Sequence, residues 1–135
     1  MLQVLVDADN VPPARLVPLL DRLPAGAGQV RLVVSGRPSA LARVAWPDHA
    51  EVVPSTGWQR ADVELATAYR PDDGPLVLVS GDGDFAQLAR RHPGPVLVVS
   101  SAPAGGLRDA ATVIDPVHDG PDALQRWLDA VGDPG

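Results

Sequence analysis

The sequence predicts an α/β fold in which helices cover both faces of a central parallel sheet. Apolar, β-branched runs such as LVLV (residues 76–79) lack the polar alternation of a half-exposed strand, which is typical of strands buried on both faces. Such runs alternate with helical segments along the 135 residues. Two of them end in paired carboxylates, Asp7 with Asp9 and Asp82 with Asp84, at the strand end where such folds bind ligands.

The N-terminal half is predicted to contain three strand–helix units. Strands are expected at residues 2–7, 29–35 and 50–54, and helices at 11–23, 38–45 and 60–70. The first helix begins with Val11-Pro12-Pro13, since proline is favoured in a first turn, and Asp9 or Asn10 would cap it. The third strand is expected at a sheet edge because Pro54 cannot donate to a ladder.

The C-terminal half continues the same alternation. Strands are expected at residues 75–80, 96–100 and 112–115, and helices at 84–91, 106–110 and 121–131. The last helix is predicted to be amphipathic, because Leu124, Trp127, Leu128 and Val131 recur at helical spacing. We expect one domain over residues 1–131 and a short tail at 132–135.

Composition excludes several classes of chemistry. Cysteine is absent, so disulfides and thiolate metal sites are excluded, and all 11 basic residues are arginine, so no mechanism can use a lysine. The formal net charge of -6 argues against nucleic-acid binding, because phosphate contacts favour a basic surface. No signal peptide and no run of about 20 apolar residues is evident, so we expect a soluble cytoplasmic protein that does not bind membranes.

The four carboxylates at the two strand ends indicate a divalent metal site. Two unit charges about 4 Å apart repel by roughly 4 kcal/mol at an effective dielectric of about 20. A cluster of this kind needs a cation or a proton to relieve the repulsion. The alternative is that Asp82 and Asp84, like Asp62 further along the chain, only cap helices and complement their dipoles.

Three motifs together resemble the NYN domain family of PIN-like nucleases, in its LabA-like group. They are VDADN after the first strand, Asp62 in QRADVELA, and SGDGDF after the fourth strand, and the resemblance spans roughly residues 2–115. It implies a PIN-like three-layer sandwich with strand order 3-2-1-4-5. In that order the first and fourth strands are neighbours, and both acidic pairs flank one crevice.

The resemblance also implies metal-dependent cleavage of RNA, with Mg²⁺ or Mn²⁺ as the cofactor. The positions that match the family's catalytic and metal-binding acids are Asp7, Asp62, Asp82 and Asp84. We assign Asp7 and Asp82 as the core ligands, with the other two completing the site directly or through water. The residues expected to orient these ligands from behind are Asp9, Asn10 and Ser80.

Candidate RNA contacts lie near the same strand ends. The candidates for phosphate contacts are Arg15, Arg37, Arg43 and Arg60, and each of them is equally consistent with a solvated surface role. Trp58 could stack a base, with packing as the alternative. A homodimer is a further possible partner, although no heptad or clear apolar patch indicates one.

Two other functions compete with the nuclease. One is a non-catalytic PIN-like module that binds RNA or protein, since Ala68 and Thr112 stand where many family members have further acids. The other is a haloacid-dehalogenase-like phosphatase. The D-x-D sequence of Asp7 to Asp9 resembles the first motif of that family, and Ser35 resembles its hydroxyl motif. The absence of lysine, and Asn10 in place of the usual glycine, argue against the phosphatase.

Overall fold

The computed structural model describes residues 2–24, 30–55, 61–115, 118–120 and 122–131. In these ranges, six parallel strands form one sheet in the order β3-β2-β1-β4-β5-β6. The strands are β1 (Leu2–Asp7), β2 (Val30–Gly36), β3 (Glu51–Pro54), β4 (Leu76–Val79), β5 (Val96–Val99) and β6 (Thr112–Ile114). The expected order of the first five is confirmed, and the short strand after them extends the sheet next to β5.

Helices flank the sheet and follow the predicted order. They are α1 (Pro13–Asp21), α2 (Pro38–Leu41), α3 (Ala61–Ala68), α4 (Ala86–Arg91), α5 (Gly105–Ala110) and α6 (Ala123–Val131). A 3-10 turn at Gly83–Phe85 leads into α4. No helix in the described ranges is long and apolar enough to cross a bilayer. Trp58, Arg60 and the tail 132–135 lie outside the described residues.

Several helix ends differ from the predicted ranges, and a side-chain hydrogen bond explains the largest of these differences. The residue before α1 in the cap position is Pro12, with no side-chain cap, so the prediction that Asp9 or Asn10 caps this helix was wrong. Helix α2 ends at Leu41 rather than near residue 45. The indole N–H of Trp46 donates to the Leu41 carbonyl at 3.0 Å, which satisfies a carbonyl that a longer helix would have used.

Strand alternation sends side chains into two separate cores. Val4 and Val6 of β1 pack with residues of α1, α2 and α6, whereas Leu5 packs with residues of α3, α4 and α5 on the opposite face. The molecule is therefore a three-layer α/β sandwich. By the same alternation Asp7, at the carboxyl end of β1, lies on the face that α3 covers.

Candidate metal centre

Three carboxylates converge at the carboxyl end of β4. Asp62 comes from the first turn of α3, while Asp82 and Asp84 come from the segment between β4 and α4. Each offers one oxygen within 4.8 Å of the others; Asp62 and Asp82 are half-buried and Asp84 is exposed. Carboxylate oxygens are the ligands that hard divalent cations prefer, so this donor set fits Mg²⁺ or Mn²⁺.

The local sequence after β4 determines where Asp82 lies. Asp82 is extended and precedes the 3-10 turn, and its Oδ1 accepts a hydrogen bond from the Asp84 backbone N–H at 2.9 Å. The turn is anchored by Phe85, which is 2% exposed. A Cβ at Gly81 would lie 2.8 Å from Ser100 Oγ and 2.9 Å from the Ala102 carbonyl, so only glycine fits there without a shift. Asp82 therefore caps the turn, which the sequence offered as the alternative to a metal site, and also belongs to the cluster.

Asp7 lies beside this cluster but is not one of its three members. Its side chain is 3% exposed and accepts hydrogen bonds from the Asp9 N–H (3.1 Å), Asn10 Nδ2 (3.3 Å) and Ser80 Oγ (3.2 Å). Burial raises the pKa of the Asp7 carboxyl above its ordinary 3.8, and the hydrogen bonds from Ser80, Asn10 and Asp9 oppose that rise. Its assignment as a metal ligand stays a prediction.

Ser80 connects Asp7 to the three-carboxylate cluster. Its hydroxyl donates to Asp7 Oδ2 and accepts from the Asp82 backbone N–H at 3.1 Å. A hydroxyl can do both because it carries one donor and two acceptor positions. Movement of either carboxylate segment would therefore disturb the other, and Ser80 has the geometry of the orienting residue that the sequence predicted.

The other two predicted orienting residues face different partners. Asn10 donates to Asp7, as described above, and its role in the site stays a prediction. The Asp9 backbone N–H also donates to Asp7, but the Asp9 side chain accepts from the Arg37 backbone N–H at 2.9 Å and lies 3.6 Å from the Arg37 guanidinium. Asp9 thus joins the β1–α1 connection to the segment between β2 and α2.

Ser35 is a neighbour of Asp7 that the sequence indicated only through the phosphatase comparison. It pairs in register with Asp7 across β1 and β2, and it is fully buried. Its Oγ has no hydrogen-bond partner within the described part of the chain. The parallel register places this hydroxyl beside the site, and register between distant strands is not visible in the sequence.

Among the candidate RNA contacts, Arg15 and Arg37 are both near the strand ends. Arg15 donates to the Ser101 hydroxyl, which joins α1 to the segment after β5. Arg37 follows β2 directly and its side chain is 76% exposed. Both lie near the carboxyl edge of the sheet, and their contact with RNA stays a prediction.

Fold and site together define an α/β protein with a candidate divalent-cation site at its topological switch point. Strands β1 and β4 are neighbours, the chain proceeds outward from them in opposite directions, and the carboxylates lie at their carboxyl ends. Neither a protein-family model nor a curated protein sequence matches this chain.

Proposed function

We propose that this chain is a metal-dependent ribonuclease that hydrolyses phosphodiester bonds of RNA. The observation that carries the proposal is the convergence of Asp62, Asp82 and Asp84 within 4.8 Å at the switch point of the sheet. The motif resemblance to the NYN family supplies the choice of RNA as substrate. Mg²⁺ or Mn²⁺ would be held by these three carboxylates.

The chain's own residues prepare this site before a substrate arrives. The Asp82 carboxylate is held by its hydrogen bond from the Asp84 N–H, and Ser80 holds the Asp82 backbone against Asp7. A bound divalent cation would polarise the scissile phosphate and lower the pKa of an attacking water. Exposed Asp84 lies on the open side of the cluster, where a phosphate can approach.

The geometry argues against the phosphatase alternative. In that mechanism Asp7 would attack a phosphorus atom and become an aspartyl-phosphate. Asp7 is 3% exposed and its carboxylate accepts three hydrogen bonds, so an incoming phosphate would have to displace them. With no lysine in the chain to balance the charge, the hydrolysis of RNA at the exposed cluster accounts better for these residues.

Cleavage of a mixed pool of cellular RNA in Mn²⁺ tests the proposal. Asp82→Asn removes a charge but keeps a side chain that can cap the turn. We expect wild type to cleave and Asp82→Asn to lose at least about 100-fold in rate. The matched control is Asp129→Asn, an exposed carboxylate on α6, which should cleave like wild type.

Two results would contradict the proposal. Equal cleavage by wild type and Asp82→Asn would show that the acidic cluster does not catalyse the cleavage. If none of the three proteins cleaves, while wild type still binds RNA, the result would favour the non-catalytic binding module.

A further inference from the structure

A cavity of about 390 Å³ opens beside the candidate metal centre, on the face of the sheet that α1 and α2 cover. It lies between the β1–α1 connection and the segment from Arg37 to Arg43. Its volume is within the roughly 300–1,000 Å³ range of small-molecule sites. None of the acidic residues of the metal centre lines it, so it is a separate site.

Positive charge is concentrated at this cavity. Arg37 and Arg43 both line it, and Asp9 is the one carboxylate among its lining residues. Asp9 pairs with Arg37, whereas Arg43 is exposed and forms no ion pair with any residue in the described ranges. The cavity thus carries surplus positive charge in a chain of net charge -6. Arginine forks match the geometry of phosphate oxygens.

The rest of the lining is largely apolar. Val11, Pro12 and Ala40 contribute to it and are each at least partly exposed, and Ser39 adds a hydroxyl. A ligand that suits this surface has an anionic group at one end and a flat or apolar body at the other. A nucleotide has both, with a phosphate for the arginines and a base for the apolar wall.

Asn10 connects the cavity to the metal centre. It lines the cavity, and its side-chain amide donates to Asp7 Oδ2 at 3.3 Å. Asp7 in turn contacts Ser80, whose hydroxyl accepts from the Asp82 backbone. This chain of hydrogen bonds links the cavity to the three-carboxylate cluster, and both lie at the carboxyl edge of the sheet.

We propose that this cavity binds one nucleotide of the RNA substrate, adjacent to the phosphate that is cut. The phosphate of that nucleotide contacts Arg43 and Arg37, and its base lies against Val11 and Pro12. The inference rests on the proposed ribonuclease function for its choice of ligand. Because a base must leave its stack to enter such a cavity, the nucleotide is unpaired.

Binding without cleavage tests this subsite. A fluorescein-labelled eight-nucleotide oligouridylate is titrated, in EDTA, into Asp82→Asn protein and followed by anisotropy. Added to this background, Arg43→Gln is expected to weaken binding at least about tenfold, because a charge-assisted hydrogen bond to the phosphate is lost. The slope of log K against log salt should fall by about 0.7, because one phosphate contact is lost.

Arg91→Gln in the same background is the matched control. Arg91 is an exposed arginine in the last turn of α4, away from the strand ends that build the site. Its replacement should leave both the affinity and the salt slope unchanged. The same octamer annealed to its complement should bind more weakly than the single strand.

The outcomes separate this inference from the proposed function. The subsite would be overturned if Arg43→Gln and Arg91→Gln bound the octamer with the same affinity, whether or not both had lost affinity relative to the Asp82→Asn background. Equal binding of the duplex and the single strand would overturn it as well. Cleavage of the same octamer by wild type in Mn²⁺ is measured in parallel. Loss of binding in Arg43→Gln without cleavage by wild type would support the nucleotide subsite and contradict the ribonuclease.

Discussion

Asp7 is a buried acid, and its charged form is disfavoured in the folded protein because it is desolvated. Its folded-state pKa lies above the ordinary 3.8 because burial disfavours the charged form. Between 3.8 and that raised value the folded protein binds more protons than the unfolded chain. The free energy of unfolding therefore falls as pH rises through this window, and the loss persists at neutral pH.

Asp7→Asn should therefore stabilise the protein at pH 7 in EDTA. Asparagine keeps the shape of the side chain and carries no charge, and the Ser80 hydroxyl can turn to accept from its amide. Urea unfolding is expected to give a higher midpoint than wild type at pH 7, with the difference narrowing as pH falls towards 3.8. A lower midpoint at pH 7 would mean that the three hydrogen bonds to the charged carboxylate outweigh its desolvation.

Gly94 is required by a close backbone approach. A Cβ there would lie 2.4 Å from the Gly74 carbonyl oxygen and 2.5 Å from that of Asp73, and these backbone atoms cannot move independently. We expect Gly94→Ala to lower the free energy of unfolding by about 1–3 kcal/mol, as overpacking does.

The matched control for this change is Gly105→Ala. Gly105 begins α5, and a Cβ there would have no neighbour within 4 Å. Alanine restricts the unfolded chain and favours the helix, so a gain of roughly 0.5–1 kcal/mol is expected. Equal effects of the two substitutions would show that the contact at Gly94 is relaxed at little cost.

At the scale of single residues the sequence identified the acids but not all of their partners. Asp9 was predicted to cap α1, yet it binds the Arg37 backbone, 28 positions along the chain. Local spacing cannot show a contact of that kind. Likewise, the grouping of Asp62 with Asp82 was implied by the family resemblance and not by periodicity, because it depends on where α3 packs on the sheet.

The segment between β4 and α4 uses one side chain for two purposes. Asp82 caps the 3-10 turn and also belongs to the carboxylate cluster. In EDTA both Asp82→Ala and Asp82→Asn remove one of the repelling charges of the cluster, so the two variants differ mainly in the cap. Asp82→Ala should be about 1 kcal/mol less stable than Asp82→Asn, because asparagine caps about as well as aspartate and alanine does not cap. Thermal unfolding of the two variants measures this difference. Equal stability of both would show that the cap contributes nothing measurable.

Strands could be predicted more closely than helix ends. The six strands lie within one or two residues of the predicted ranges, because a strand buried on both faces must be apolar along its length. Helix α2 was predicted about four residues too long, since Ala42, Arg43 and Ala45 after it favour a helix. The bond from Trp46 to the Leu41 carbonyl overrides that local preference, and only the folded chain shows it.

At the scale of the whole molecule, alternation of strands and helices predicts a parallel sheet but not the order of its strands. The order of the first five strands was implied by the family resemblance, and the structure confirms it. That order creates the switch point between β1 and β4, which brings carboxylates from distant parts of the chain to one edge. The site is thus a consequence of topology as much as of motif.

The net charge of -6 makes two explanations of a metal response possible, and they can be separated. Mn²⁺ at about a hundredfold excess over its dissociation constant should raise the free energy of unfolding by about 2.7 kcal/mol if it binds the folded state alone. General screening of an acidic protein by added ions would also stabilise it, but equally in every variant of the same charge.

Asp82→Asn and Asp129→Asn have the same net charge, so screening predicts equal gains for both. Binding at the cluster predicts that Asp129→Asn retains the full gain while Asp82→Asn loses most of it, and NaCl at matched ionic strength gives the screening contribution by itself. Thermal unfolding of the three proteins in Mn²⁺, NaCl and EDTA measures these differences, and a Mn²⁺ response unchanged in Asp82→Asn would refute its assignment as a ligand.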